Sequence, residues 1–372
     1  MTPTLTDPLT PDLRRPASKI EAALRDAIIE GTYPPGSRLP IQTELAQHFG
    51  VTGVTIQRVI RRLADKGFIQ TARRGGTVVT LSPPHQCHYA LVFPQSSEFV
   101  ASSRFFATLL QVALNLQAED GLRFFPFYGL YEHESTNDYR LLLSRIVDRR
   151  LAGLIFASTP SWTLAQTPIL DNPGVSRVAI MAGPGDPRLP AVWFDYKSFL
   201  DQALDYLQSR GRRRIALLLF PRGWPEIEAH AEQCLAARGM TTEPCWMLHF
   251  NVNDADAAVD TTHLLMHKHG PESPDGLIIM DDNLGDHALR GLVAAGVRVP
   301  DQVDVVMHAN YPCAGPAVLP VKRLGFDLDE TLRLCVTDLV RQSRGESVAP
   351  FTTMPARFED EIQAKQERIH AP

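Results

Sequence analysis

The chain has 372 residues, more than one hydrophobic core usually holds, so two or three domains are expected. With 44% hydrophobic and 21% charged residues it reads as a soluble globular protein, and no run approaches the ~18 apolar residues of a membrane span. Five scattered cysteines without a CxxC pair argue against a disulfide frame or a zinc knuckle, and "MTPTLTDPLTPDLRRPASK" has no apolar signal region, so a reducing cytoplasm is the expected location.

The net charge of −5 is unevenly spread: residues 1–82 carry 11 Lys+Arg against 7 Asp+Glu, a net of +4, which leaves −9 for the rest. A basic head on an acidic body points to a polyanionic partner for the head alone. Residues 1–15 are expected to be disordered. From residue 16 on, Ile20, Ala23, Leu24, Ala27 and Ile28 recur at helical spacing, and Gly31 ends that helix. "TYPPGSRLP" is a turn-rich connector, and a second short helix, "IQTELAQHFG", stops at Gly50. Thr52 is placed to cap a third helix, in which Ile56, Val59, Ile60 and Leu63 form the buried stripe. Val54, Gln57, Arg58 and Arg61 fall on the opposite face, flanked by Thr55 and Arg62. After Gly67, "FIQTARRGGTVVT" reads as two strands joined by a Gly-Gly turn.

Three helices and a basic hairpin make the pattern of a winged helix-turn-helix. Its third helix enters the major groove, where Gln and Arg reach base edges, while the wing arginines suit phosphate or the minor groove. An isolated basic helix is more often a solvated face; here the second helix, the turn and the wing accompany it. The pieces "LRDAIIEGTYPPGSRLP", "TELAQHFGVTGVTIQRVIRRLADKGFI" and "RRGGTVV" resemble the GntR family of bacterial regulators over roughly residues 18–80. The resemblance implies a DNA-binding domain over 16–80 with Arg38, Thr43, Thr52, Thr55, Gln57, Arg58, Arg61, Arg73, Arg74, Gly75 and Gly76 at the DNA. Many family members have arginine where Thr43, Gly53 and Gln57 stand, so the operator is expected to differ from the usual one, with Gln57, Arg58 and the wing supplying more of the readout.

Residues 81–87, "LSPPHQC", read as a Pro-rich linker. Beyond them strands and helices alternate. "HYALVFP", "LRFFPFY", "AGLIFAS", "VSRVAIMA", "AVWFD", "RRIALLLF", "CWMLHF", "DGLIIM" and "DVVMHA" read as strands. Helices are expected at 103–119, 136–149, 196–210, 224–239, 254–269 and 284–295. The fold class is therefore α/β, with parallel sheets covered by helices on both faces.

The stretches "VWFDYKSFLDQALDYLQSRGRRRIALLLF", "DGLIIMDDNLGDHALRGLVAAGVRVPDQVDVVMHANYP" and "VKRLGFDLDETLRLCVTDLV" resemble the LacI/GalR effector domain, which has the periplasmic-binding-protein-like fold. That resemblance implies two lobes, about 88–194 with 321–346 and 195–320 with 347–362, a cleft, and a hinge of three crossing strands near Asp195, Val321 and Phe351.

Ligands of open α/β sheets sit beyond the carboxyl ends of the strands. Those ends carry Phe93, Gln95, Ser96, Ser158, Asp195, Phe250, Asn251, Asp281, Asp282, His308 and Asn310. Carboxylates and amides can bind vicinal hydroxyls, and aromatic rings offer a wall to C–H faces, which suits a sugar or related metabolite. Each residue alone can also be a polar strand end that meets solvent or caps a helix, and Asp281 or Asp282 is equally a cap for the helix beginning near Leu284. Sugar-binding relatives often read F-D-D where this chain reads His308-Ala309-Asn310, and often carry an R-x-x-G arginine early in the helix that here begins near Pro225, where this chain has "PEIEAHAEQC" instead, so a small polar effector is the broader expectation.

His263 and His267 stand one helical turn apart, but no carboxylate stands at matching spacing, so no metal site is expected there. The run "RGRRR" is read as complementing a helix C-terminus. There is no GxSxG, P-loop or GxGxxG motif, and Cys313 has no identifiable base, so neither an enzyme nor a cofactor is expected. An aminotransferase-fused regulator would need a longer body and a cofactor lysine motif; a pure solute-binding protein would not need the basic head. The expected protein is a ligand-responsive transcriptional regulator, a repressor, acting as a homodimer on double-stranded operator DNA with no membrane partner.

Overall fold

The computed structural model describes residues 16–72, 76–130, 136–160, 164, 167–172, 174–181, 189–219, 225–250, 255–267, 272–312 and 315–370. The expectation of disorder for 1–15, and those placed on Arg73, Arg74, Gly75, Asn251 and Cys313, lie outside these residues. The expected apolar periodicity sets the first elements: α1 (Pro16–Ile29), α2 (Gln42–Phe49), α3 (Gly53–Asp65), β1 (Ile69–Ala72) and β2 (Gly76–Val79). Ile20, Leu24 and Ile28 of α1 close a core with Leu45, Ile56, Val59, Leu63, Phe68 and Val79. Gly50 takes φ 64° and ψ 35° after α2, a left-handed conformation that glycine adopts without the Cβ clash of other residues. β1 and β2 pair antiparallel, Ile69 opposite Val79.

The body follows as α4 (Pro84–Cys87), β3 (His88–Val92), α5 (Ser97–Ser102), α6 (Arg104–Asp120), β4 (Arg123–Phe127), α7 (Asn137–Val147), β5 (Gly153–Phe156), α8 (Pro168–Asp171), β6 (Ser176–Met181) and β7 (Ala191–Phe194). Then come α9 (Tyr196–Ser209), β8 (Ile215–Leu219), α10 (Pro225–Ala237), β9 (Met247–His249), α11 (Ala255–Met266), β10 (Gly276–Ile279), α12 (Asp282–Ala294), β11 (Asp304–Tyr311) and β12 (Lys322–Asp327). The chain closes with α13 (Leu328–Ser343), β13 (Phe351–Met354), β14 (Arg357–Phe358) and α14 (Glu359–His370). No helix among the described residues is long and apolar enough to cross a membrane.

The chain divides into two compact units, one through Ser96 with 114–178 and 336–348, the other from 97–113, 179–335 and 349 onward. The division falls within α6, β6 and α13. The first unit holds the three-helix head and the strand order β6-β5-β3-β4, parallel where the register is given, with Tyr89 opposite Gly153 and His88 opposite Arg123. The second holds β13-β7-β6 and the order β14-β12-β11-β10-β8-β9, parallel except for β14. Its central strands are unbroken apolar runs, as in "IALLL" and "GLII", because helices cover both faces. β11 and β12 approach so closely that a Cβ at Gly325 would lie 1.7 Å from the Ala309 carbonyl oxygen.

Two local expectations change. Within 81–87, Pro84–Cys87 is a one-turn helix with Pro83, Pro84 and Cys87 buried, and the His85 ring stacks on Phe68 at 5.9 Å; the connector packs on the head instead of spanning open solvent. In "RGRRR", Arg212 Nε lies 2.6 Å from Asp304 Oδ2 and Arg214 Nη2 3.1 Å from Asp275 Oδ2. With Arg210 Nε 3.6 Å from Asp304 Oδ1, three of these arginines thus neutralise carboxylates at strand starts, a stronger reason for their presence than the dipole of α9.

Candidate functional site

The head builds its outward face from local rules. Thr52 caps α3, its hydroxyl accepting from the Thr55 amide at 3.4 Å, and Gln42 Nε2 donates to the Gly53 carbonyl at 2.6 Å, tying α2 to the start of α3. Ile56, Val59 and Leu63 are fully buried, which turns Gln57, Arg58 and Arg61 outward beside Val54, 66% exposed. No partner among the described residues holds those three polar side chains. Thr43, Thr55 and Arg38 lie on the same domain, Thr43 and Arg38 exposed and Thr55 half-buried; the Arg38 backbone bridges to Val78, so the connector adds an edge to the wing. Gly76 opens β2 with φ 76°. The far end of α3 is anchored: buried Glu21 meets Lys66 at 2.7 Å and Arg62 at 3.3 Å, and Lys66 also meets Asp148 of the body at 2.7 Å.

In the first unit's body, Phe93 is fully buried at the end of β3 and stacks on Tyr128, rings 5.4 Å apart. Gln95 Oε1 is buried with no hydrogen-bond partner among the described residues. Ser96 is exposed and Ser158, beyond β5, is half-buried.

The second unit contains a cavity of about 440 Å³ lined by Arg104, Thr108, Asp282, His308, Asn310 and Arg323 among others. Asn310 Nδ2 donates to Asp282 Oδ2 at 2.7 Å, joining the ends of β10 and β11, which are neighbours in the sheet. Both ring nitrogens of His308 are buried without a partner among the described residues, and the ring lies among Tyr196, Phe199 and Phe326 at 5.8, 5.7 and 5.6 Å. Burial pushes the Asp282 carboxyl up to about 6 against the Asn310 hydrogen bond and the Arg104 charge that hold it down. Burial pushes His308 down to about 4, opposed by the charge of Asp281. The cavity therefore offers a carboxylate, an amide and a neutral imidazole, a donor and acceptor set suited to hydroxyl groups.

Phe93, Gln95, Ser96 and Ser158 of the first unit do not line this cavity, nor do three expected site residues of the second unit. Asp281 caps α12, accepting from the Asn283 amide at 2.9 Å and its side chain at 2.8 Å. Asp195 caps α9, accepting from the Ser198 amide at 2.9 Å. Phe250 packs in the core with Leu218, Ala258 and Met266. Arg104, Thr108, Gln111 and Arg323 line it but were missed from the sequence. Arg323 left a signal, a charge within the apolar strand "RLGF"; it pays for its burial by pairing with Glu359 at 3.0 Å and donating to the Gly315 carbonyl. Arg104 left none: its role follows from contacts to Asn283 and Asp286, far along the chain.

Comparison with known proteins agrees with both halves. The model of bacterial regulatory proteins of the gntR family matches residues 16–79, and that of the periplasmic binding protein-like domain matches 204–358. An HTH-type transcriptional regulator of Mycobacterium tuberculosis (strain ATCC 25618 / H37Rv) is 30% identical over 99 residues, 27% of this chain and 73% of that protein. An uncharacterized HTH-type regulator of the same organism is 35% identical over 82 residues, 22% of this chain, and the chain spans only 34% of its length. The body is similar in fold to a LacI family transcriptional regulator from Arthrobacter sp. FB24 solved in complex with lactose, with TM-score 0.58 and 18% identity over 73% of this chain and 97% of that one. The chain belongs to the gntR family of bacterial regulatory proteins and carries, behind the family's winged head, a body of periplasmic-binding-protein-like fold.

Proposed function

We propose that the protein is a ligand-responsive repressor that binds operator DNA as a homodimer through α3 and the wing. A small polar molecule, a sugar or related metabolite, is read by the cavity at Asp282, His308 and Asn310. The observation that carries the DNA half is the row Gln57, Arg58 and Arg61, without partners among the described residues and aimed outward from a helix whose other face is fully buried. The lactose complex of the LacI-family neighbour supports the sugar class, as does the mixed donor and acceptor lining of the cavity. On this reading the body binds and signals without doing chemistry, and operator DNA sets the cytoplasm as its place of work. Two-fold proteins match two-fold operators, so an inverted repeat is expected.

The test is a fluorescence-anisotropy titration of the full chain on operator candidates from its own promoter region, with and without a panel of mono- and disaccharides. Salt-dependent, sequence-selective binding that one sugar weakens supports the reading. Equal affinity for random DNA, or no sugar effect at saturation, counts against it.

A further inference from the structure

Away from the cavity, three side chains of different donor type converge between two helices of the second unit. His230 and Cys234 stand four residues apart on α10, hence on one face, and Asp201 of α9 faces them. Asp201 Oδ2 lies 3.2 Å from His230 Nε2, Asp201 Oδ1 3.2 Å from Cys234 Sγ, and Cys234 Sγ 3.3 Å from the same His230 Nε2. As hydrogen bonds, two protons serve one carboxylate, the Cys234 thiol on Oδ1 and the His230 ring on Oδ2, with sulfur and ring nitrogen left in contact at 3.3 Å. Around a tetrahedral zinc ion with ordinary bond lengths, ligand atoms stand about 3.4–3.6 Å apart. The His230–Cys234 and His230–Asp201 Oδ2 contacts need to open by only a few tenths of an ångström to receive one, and one ligand atom from each of the three residues lies within 4.8 Å of the others.

The surroundings fit the same ion. Arg238 donates to Asp201 Oδ1 at 3.2 Å and to Asp205 Oδ1 at 2.7 Å, so it steadies one carboxylate oxygen and leaves Oδ2 toward His230. Thiolate and carboxylate balance a dication, while Asp205 balances Arg238. The Cys234 residue is 7% exposed but the Asp201 side chain is 40% exposed, so the triangle is closed below and open to solvent above, where water can take the fourth position.

We propose that Asp201, His230 and Cys234 bind a late first-row divalent cation, zinc foremost, which ties α9 to α10. A mixed sulfur, nitrogen and oxygen set suits zinc and its neighbours; magnesium and calcium take oxygen ligands. On binding, the Cys234 S–H bond breaks, a metal–sulfur bond forms, and the proton leaves to solvent.

The test uses the full chain, stripped with chelator, kept reduced and titrated with cobalt(II). The expected result is one tetrahedral cobalt per chain with a thiolate-to-cobalt charge-transfer band, displaced by one equivalent of zinc. Cys234→Ser should abolish the band, His230→Gln should weaken cobalt binding at least tenfold, and His263→Gln should change nothing. His230→Gln and His263→Gln keep the proposal testable if Cys234→Ser fails to fold. A band that survives Cys234→Ser, cobalt binding lost in His263→Gln, or no bound cobalt at all overturns the proposal.

Discussion

Lys66 Nζ lies 2.7 Å from Asp148 Oδ1. Lys66 follows the last turn of α3 and Asp148 follows the last turn of α7, so α3 is fastened at its C-terminal end to the body. A carboxylate at a helix C-terminus opposes the helix dipole and needs a cation, which Lys66 supplies with Arg25 at 3.9 Å. The pair is partly buried, so its coupling should be about 1 kcal/mol. A double-mutant cycle of Lys66→Gln and Asp148→Asn, read by urea unfolding, checks it; a coupling near zero would show that the contact holds nothing. If the head takes its signal through both this tether and the packed connector, Pro83→Gly with Pro84→Gly should only partly reduce the effect of effector on operator affinity. Adding Lys66→Gln should then remove most of the remainder.

The polar residues of the head should divide into two roles. Gln57→Ala should cost about 1–3 kcal/mol at particular base pairs and leave others unchanged. Arg73→Ala should weaken binding to every sequence alike and reduce the salt slope by about one. Anisotropy titrations over a set of single-base operator variants at two salt concentrations separate these patterns. Identical losses from both changes on all variants would refute the division.

Neighbouring aspartates should behave differently. Asp281 caps α12 and does not line the cavity, so Asp281→Ala should cost about 1 kcal/mol of stability and leave sugar affinity within a few-fold. Asp282 lines the cavity and holds Asn310, so Asp282→Ala should lower affinity roughly tenfold to a hundredfold. Calorimetry with the sugar that most raises the melting temperature of the wild type decides; loss of affinity in the Asp281 variant alone would reverse the assignment.

The same cavity predicts a pH signature. Asp282 is raised by burial from 3.8 to about 6, so the folded chain keeps a proton that the unfolded chain releases. The stability it contributes is present at low pH and is lost as pH rises through that window. His308 is lowered by burial from 6.5 to about 4, so its contribution is present at neutral pH and is lost as pH falls. Each shift corresponds to about 3 kcal/mol, with opposite slope. Asp282→Asn should therefore make stability climb more steeply than in the wild type, by about 3 kcal/mol, between pH 4 and 6. His308→Gln should do the reverse. Urea midpoints at several pH values give the slopes, and parallel curves for wild type and Asp282→Asn would rule out the raised carboxyl.

The head was legible because its determinants are local. The three- and four-residue spacing of Ile56, Val59 and Leu63 makes a buried stripe and, by the same rotation, an outward row at Gln57, Arg58 and Arg61; Thr52 and Gly50 mark the ends by cap chemistry alone. The alternation of apolar runs with helical periods likewise specified an α/β body. What the tertiary structure decided is which strand ends meet. Sheet order places β10 beside β11 and β11 beside β12, which gathers Asp282, Asn310 and Arg323 at one cavity and leaves Asp281 to cap a helix. Asp148 finds Lys66, and Asp201 finds His230 and Cys234, across gaps of 82, 29 and 33 residues. Side-chain periodicity carries no information across such gaps, because those meetings are set by how helices pack on the sheets and not by the residues lying between them.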